Sequence, residues 1–231
     1  MPARNSIKLY VENGYYHLYN RGVEKRLIFS DEKDYGVFLH YLKEYLLPKD
    51  EESLRKRLAE SEISSKERAE IIKLLRLNNF AQEISLIAYC LMPNHYHFLI
   101  KQKSPYSIDG FMQSLGTRYT MYFNQKYKRV GSLFQAVYKA CLVTSNDQFL
   151  YLTKYIHKQA LASKGETFRD FRDFRDQPSS YKDYIGKRST PWIHTAEILS
   201  HFSKTIPTLS YESFVNESED LSFIHKLILD N

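Results

Sequence analysis

Between Leu86 and Ile100 the chain reads Leu-Ile-Ala-Tyr-Cys-Leu-Met-Pro-Asn-His-Tyr-His-Phe-Leu-Ile. Two apolar, β-favouring runs, Leu86 to Met92 and Phe98 to Ile100, flank Pro93-Asn94, a pattern that predicts two buried strands joined by a tight turn. Side chains alternate faces along a strand, so His95 and His97 project the same way, with Cα atoms roughly 7 Å apart, while Tyr96 faces away from them. Two imidazoles at that spacing can converge on one metal ion. A bare His-x-His is as often a pair of satisfied core or surface residues; here a polar pair opening a buried strand is costly unless something uses it.

The rest of the chain supplies partners for those strands. Gly14 to Arg21 alternates and is aromatic, a first strand ending in Asn-Arg-Gly. A helix follows, capped by Ser30 or Asp31, with Val37, Phe38, Tyr41, Leu42 and Tyr45 as its apolar stripe and Pro48 just past its end. Lys49 to Asn79 changes character, with eight basic and seven acidic residues. Leu54 and Leu58 suit one short helix there, and Ser64 with Glu67 suits a capping box before a second, so the segment reads as a helical hairpin inserted between core elements. After the central strands, Ser104-Pro105 starts a helix in which Ile108, Phe111, Met112, Leu115, Tyr119, Tyr122 and Phe123 recur at helical spacing. Gly131-Ser132 then turns the chain into a strand-rich run, Leu133 to Val143. The last core helix starts near Asn146 or Asp147; Phe149, Leu152, Thr153 and Ile156 bury, leaving Tyr151, Tyr155 and Gln159 at successive four-residue steps on another face. Strand, helix, paired strands, helix, strand, helix is the order of an α+β, ferredoxin-like antiparallel sheet with helices on one face, followed by a C-terminal helix. Phe168 to Asp176 is a short triplet repeat, read as a loop or one helical turn, and the chain is weakly helical again around Ala196 to Phe202.

Charge adds a partner class. Lys101 to Ala160 holds nine basic residues against two acidic, whereas Thr205 to Asn231 holds one lysine against five acids. A basic block beside the histidine pair is an electrostatic footprint for a polyanion. The two cysteines, Cys90 and Cys141, lie in apolar runs and read as buried thiols of a reducing compartment. Met1 to Ile7 has no apolar signal core and no run approaches a membrane span, which points to a cytoplasmic protein without a membrane partner.

Taken in order, Tyr16-His-Leu-Tyr-Asn-Arg-Gly22, Met92-Pro-Asn-His-Tyr-His-Phe-Leu99, Gly131-Ser-Leu-Phe-Gln135, Tyr155-Ile-His157 and Ser179-Ser-Tyr-Lys-Asp-Tyr-Ile-Gly186, with Trp192 beyond, resemble the IS200-like transposases of the single-tyrosine HUH endonucleases, and among them the REP-associated tyrosine transposases. The resemblance implies a catalytic domain over 1–164 with the helical insertion at about 49–79, and a C-terminal extension, 165–231, packed on it. It makes His95 and His97 metal ligands, Tyr155 the nucleophile, and Gln159 the carboxamide that completes the site. The REP-associated members usually continue with Asn-Pro where this chain has Gln159-Ala160, and relatives often have Gly-Arg where it has Ala136-Val137. The implied cofactor is magnesium or manganese, and the implied partner is single-stranded DNA carrying a hairpin, REP-like or from an element end. A homodimer, with the tyrosine helix of one subunit serving the histidines of the other, is also among the family's arrangements. Arg21, Arg118, Lys126, Lys128, Arg129 and Lys154 are the candidate DNA contacts, and Tyr119, Tyr122 and Tyr127 are candidates for stacking on bases, with core packing the better reading of the first two. His157 reads as structural, and His17 as a core neighbour of the site rather than a ligand.

A phenol ionises near pH 10, so as a nucleophile it needs a base or a polarised electrophile; a divalent ion on two imidazoles and a carboxamide supplies the latter. The activity expected is metal-dependent cleavage and transfer of single-stranded DNA through a 5′-phosphotyrosine. Two other readings use the same residues: a domesticated module that binds a DNA or RNA hairpin without cutting, and a phosphodiesterase in which water attacks.

Overall fold

The computed structural model describes residues 10–162 and 177–218 together with Ile224 and Leu227. Four strands, β1 (Tyr15–Arg21), β2 (Ile84–Met92), β3 (His95–Gln102) and β4 (Lys139–Val143), form one antiparallel sheet in the order β2-β3-β1-β4. Helix α1 (Glu32–Leu46) connects β1 towards β2, and α4 (Ser107–Lys126) connects β3 towards β4. This is the ferredoxin-like α+β arrangement. Period-two alternation sorts the sheet residues cleanly. Tyr16 and Leu18 of β1, Tyr96, Phe98 and Ile100 of β3, and Leu86, Tyr89 and Leu91 of β2 meet Phe38, Leu42, Phe111, Leu115 and Tyr119 of α1 and α4 in an aromatic core. A bulge between Leu86 and Ala88 of β2 puts both Ile87 and Ala88 on the opposite face. There they join Cys90, Met92 and Leu99 beneath α5 (Asn146–Ala162), which contributes Phe149, Leu152, Tyr155 and Ile156.

Helix ends follow the chemistry of their caps. Asp31 accepts the Asp34 amide at 3.0 Å at the start of α1, and Ser145 accepts the Gln148 amide at 3.2 Å ahead of α5, each satisfying an otherwise orphaned N–H. The inserted hairpin is present as α2 (Glu51–Ala59) and α3 (Ser65–Arg76), with Ser64 accepting the Glu67 amide at 3.1 Å. Lys49 closes it, donating to the carbonyls of Leu74, Leu75 and Leu77 at 3.3, 3.1 and 2.8 Å, where a cation meets the negative end of α3.

Two expectations shift. The helix expected from Pro105 begins at Ser107, because Ser104 to Tyr106 form a turn closed by the Ser107 amide on the Ser104 carbonyl at 3.3 Å. Of the run Leu133 to Val143, only Lys139–Val143 is strand; before it, the Val23 amide on Leu133 O and the Gln135 amide on Arg21 O, at 3.0 and 2.9 Å, hold the chain across the end of β1, and Ala136-Val137 then swing into solvent. The Phe168 to Asp176 repeat lies outside the described residues.

Residues 177–218, with α6 (Tyr181–Tyr184), α7 (Ala196–Leu199) and α8 (Tyr211–Asn216), pack on α5 and along the free edge of β2. Leu91 and Ser180 donate backbone bonds to Pro178 O and Tyr89 O at 2.9 and 3.0 Å, and His194 donates to Leu86 O at 2.9 Å. The edge is thereby covered, which removes a template for unwanted pairing. No described helix is long and apolar enough to cross a membrane.

Candidate functional site

Strand pairing decides which side chains meet. Tyr19 lies opposite His97, Arg21 opposite His95, and His17 opposite Leu99. His17, Tyr19 and Arg21 therefore share the face of His95 and His97, and His17 sits diagonal to His97. His17 and His97 are buried, at 0% and 1% exposure, and His17 Nε2 lies 2.9 Å from His97 Nδ1. The His95 and His97 rings are perpendicular with centroids 5.0 Å apart. Tyr155, on α5, stands edge-on to both buried rings, with centroids 5.5 Å from His97 and 6.3 Å from His17. Tyr19 stacks on His17 at 4.9 Å and carries the Lys139 ammonium 5.3 Å from its ring centre. Helix α5 packs against β2 and β3 of the sheet.

Burial keeps the His97 ring neutral. Burial first, then the neighbouring His17 and His95, hold His97 well below the usual histidine range, so its lone pair persists at neutral pH. His95 Nδ1 lies 2.6 Å from Asn94 Oδ1, and the Asn94 amide nitrogen donates to Lys25 O at 3.3 Å, which identifies Oδ1 as acceptor and Nδ1 of His95 as the protonated nitrogen. Nε2 of His95 then carries the lone pair. Among the described residues no three His, Cys, Asp or Glu side chains converge as a ready metal cluster. The donor chemistry is two neutral imidazoles plus the Gln159 carboxamide, one helical turn beyond Tyr155 and half-buried. That set fits a divalent ion with open positions for oxygen ligands.

Residues 53–159, which include His95, His97, Tyr155 and Gln159, match the family model "Transposase IS200 like". Over those residues the chain is similar to the IS200-like transposases. No curated protein matches the chain. Among solved structures it is similar to a REP-associated tyrosine transposase bound to a REP hairpin, at 8% identity over 84% of this chain and 92% of that one with a TM-score of 0.47. It is also similar to a protein of Deinococcus radiodurans R1 assigned as a transposase, at 16% identity over 67% of this chain and 97% of that one with a TM-score of 0.35.

The candidate DNA-contacting residues separate into groups. Arg21 sits beside His95 in register and donates to Gln135 Oε1 at 2.5 Å. Lys128 is exposed in a left-handed backbone conformation just past α4, at φ 50°. Arg129 donates to Asn124 at 3.0 Å. The other three are engaged within the fold. Arg118 pairs with Glu44 at 2.7 Å and lies 3.8 Å over the Tyr41 ring. Lys126 pairs with Asp31 and Asp34 at 2.6 and 2.7 Å; dehydration works against its ammonium, but the hydrogen bonds to Asp31 and Asp34 outweigh it and raise the pKa. Lys154 is 2% exposed, with its ammonium 4.6 Å from the centre of the Phe214 ring. The tyrosines behave alike: Tyr119 donates to Ile28 O at 2.5 Å, and Tyr122 and Tyr127 donate to Asp34 at 3.0 and 2.8 Å.

His157 faces away from the other histidines, at 0% exposure, with Nδ1 on the Tyr211 hydroxyl at 2.6 Å and Nε2 on Ser180 Oγ at 2.7 Å. Burial, then the Arg188 charge, pushes it down to about 3. It fastens the C-terminal segment to α5. Sequence reasoning left Tyr19 and Lys139 out of the site. The signal was available in the alternation His17, Tyr19, Arg21, but only the β1–β3 register identifies that face as the one holding the histidines.

Proposed function

We propose that this IS200-like domain cleaves and rejoins single-stranded DNA at hairpin-flanked sites, with Tyr155 as nucleophile and His95, His97 and Gln159 as ligands of a magnesium or manganese ion. The observation that carries the reading is the seating of the Tyr155 ring 5.5 Å from His97 on the sheet face that also holds His17, Tyr19 and His95. A bound divalent ion supplies a Lewis acid that polarises the scissile phosphate. The chain's own residues do the rest. The α5 packing surface, Phe149, Leu152 and Ile156, fixes the direction from which the phenol approaches. The Tyr155 ring, 5% exposed, is sheltered from bulk water. The Tyr155 oxygen bonds to phosphorus, the phosphorus–O3′ bond breaks, the phenol loses its proton and the departing 3′-oxygen gains one. Attack by an incoming 3′-hydroxyl on the phosphotyrosine reverses these changes, joining strands without an energy cofactor. Arg21 beside His95 and exposed Lys128 are the basic residues best placed to meet the DNA backbone.

The test is incubation with labelled hairpin-bearing single-stranded DNA and Mg²⁺ or Mn²⁺, followed by denaturing electrophoresis. A metal-dependent covalent band is expected, and Tyr155→Phe should abolish it while leaving a native-gel shift intact. Cleavage without a covalent band, unchanged in Tyr155→Phe, would mean that water attacks instead.

A further inference from the structure

The geometry points to His17 as a positioning residue that fixes the ring tautomer of His97, so that Nε2 of His97 presents its lone pair to the metal; this rests on the metal reading above. His17 lies outside the residues matched by the family model, and on spacing alone it is only a neighbour of the site. Two hydrogen bonds set the tautomer. His17 Nδ1 lies 3.0 Å from the backbone carbonyl oxygen of Leu227. A carbonyl oxygen only accepts, so Nδ1 of His17 carries the proton. His17 is 0% exposed, an environment that favours the neutral ring, and a neutral ring protonated at Nδ1 has its lone pair at Nε2. That atom lies 2.9 Å from Nδ1 of His97. Two lone pairs facing one another make no bond, so His97 holds its proton at Nδ1 and its lone pair at Nε2.

The same result is reached at His95 by a shorter route, through Asn94 next to it in sequence. Both histidines are thus set to the Nε2 lone-pair tautomer before any ion arrives. For His95 the turn Pro93-Asn94 is sufficient. For His97 the information comes from β1 and, through Leu227, from the far end of the chain, 210 residues away from His17. Hydrogen bonds of this kind to the second nitrogen of a metal-binding histidine fix the ring and raise its basicity, and their loss typically weakens metal binding by about 10- to 100-fold.

The experiment is long-range ¹H–¹⁵N correlation NMR on ¹⁵N-histidine-labelled full-length protein without metal, followed by Mn²⁺ titration read by electron paramagnetic resonance. The wild-type His97 signal is expected to be that of a neutral ring protonated at Nδ1. His17→Phe, which keeps a ring of similar size and loses both hydrogen bonds, should mix the tautomers of His97 and weaken Mn²⁺ about 10- to 100-fold. His17→Gln, which restores an acceptor near the position of Nε2, should recover most of the affinity. A wild-type His97 protonated at Nε2 overturns the inference, even if neither variant folds. So does Mn²⁺ binding unchanged in His17→Phe but lost in His95→Ala, and in that case the metal reading stands. If the wild-type protein binds no Mn²⁺, the metal reading itself falls and the inference falls with it.

Discussion

The two faces of the sheet are built from the same strands and solve opposite problems. On the α1–α4 face, Tyr16, Leu18, Tyr96, Phe98 and Ile100 are packed among aromatic rings. The one deeply buried charge near it, Asp34, is saturated: it accepts from the Ser30 amide, the Tyr122 and Tyr127 hydroxyls and the Lys126 ammonium, all at 2.7 to 3.0 Å. On the α5 face, His17, His95 and His97 lie with Tyr19 and Tyr155 in one group of neighbouring rings, and a hydrogen bond of 2.9 Å joins His17 to His97. A saturated polar cluster rigidifies. On the proposed reading, the imidazoles instead turn a lone pair towards a divalent ion. The difference does not lie in burial, since His17 and His97 are as deeply buried as Asp34.

Adjacent residues on β3 put the contrast to the sharpest test. Phe98→Ala removes a ring that is 0% exposed and should cost about 3 to 5 kcal/mol by urea denaturation, with covalent DNA chemistry retained in whatever fraction remains folded. His97→Ala, one residue earlier and on the other face, should lose the metal-dependent adduct altogether at a much smaller stability cost. If His97→Ala destabilises as severely as Phe98→Ala, the histidine is a packing residue and the division between the faces fails.

The next effect separates the two uses of positive charge. Lys126→Met takes the ammonium from Asp34, itself 0% exposed, and should cost about 3 kcal/mol, mainly as the penalty of a buried carboxylate left without its cation. Its effect on the salt dependence of DNA binding should be slight. Lys128→Glu, at an exposed position, should leave the denaturation midpoint almost unchanged and flatten the salt slope. An unaltered midpoint in Lys126→Met together with a flattened slope would move Lys126 from the fold to the DNA path.

This division also explains what was legible in the sequence. Element order, the inserted hairpin and the pairing of the two central strands were readable because each rests on local signals: the Asp31 and Ser64 caps, the Pro93-Asn94 turn, and the apolar stripes of α1, α4 and α5. The shared face of His95 and His97 follows from spacing within one strand. His17 was readable as a neighbour of the site, but its hydrogen bond to His97 and the addition of Tyr19 to that face were not, because they depend on the register between β1 and β3, and a slip of one residue would have sent both to the aromatic core. The basic block was misleading for a related reason. Composition counts charges, but the engagement of Lys126 with Asp31 and Asp34 and of Arg118 with Glu44 is made between α4 and the α1 region, 74 to 95 residues apart in sequence. The start of α4 and the short β4 depend on loop hydrogen bonds that carry little sequence signature.

The smallest effect distinguishes the faces by pH. His157 is neutral in the folded protein, with its pKa pushed down to about 3, while in the unfolded chain it titrates near 6.5. Between those values the unfolded state binds the extra proton, so stability rises with pH across the window and is lost as pH falls below about 6.5. From pH 7 to pH 5 this ring should cost about 2 kcal/mol, the integral of roughly 1.4 kcal/mol per pH unit for one proton. His97, also held low by burial, should add to the loss in the same direction. On the α1–α4 side, Asp31 has its carboxyl lowered: dehydration opposes this, but the Lys126 hydrogen bond and the Asp34 amide outweigh it. Its contribution is therefore retained through pH 5 and disappears only in stronger acid. Urea denaturation at pH 7, 6 and 5 should show a falling midpoint, and His157→Gln should remove one proton's worth of the slope. A slope that is the same in His157→Gln would place the acid sensitivity elsewhere, and a midpoint flat from pH 7 to 5 would mean that the α5 face accommodates a charged imidazole, against the chain of neutral rings on which its chemistry depends.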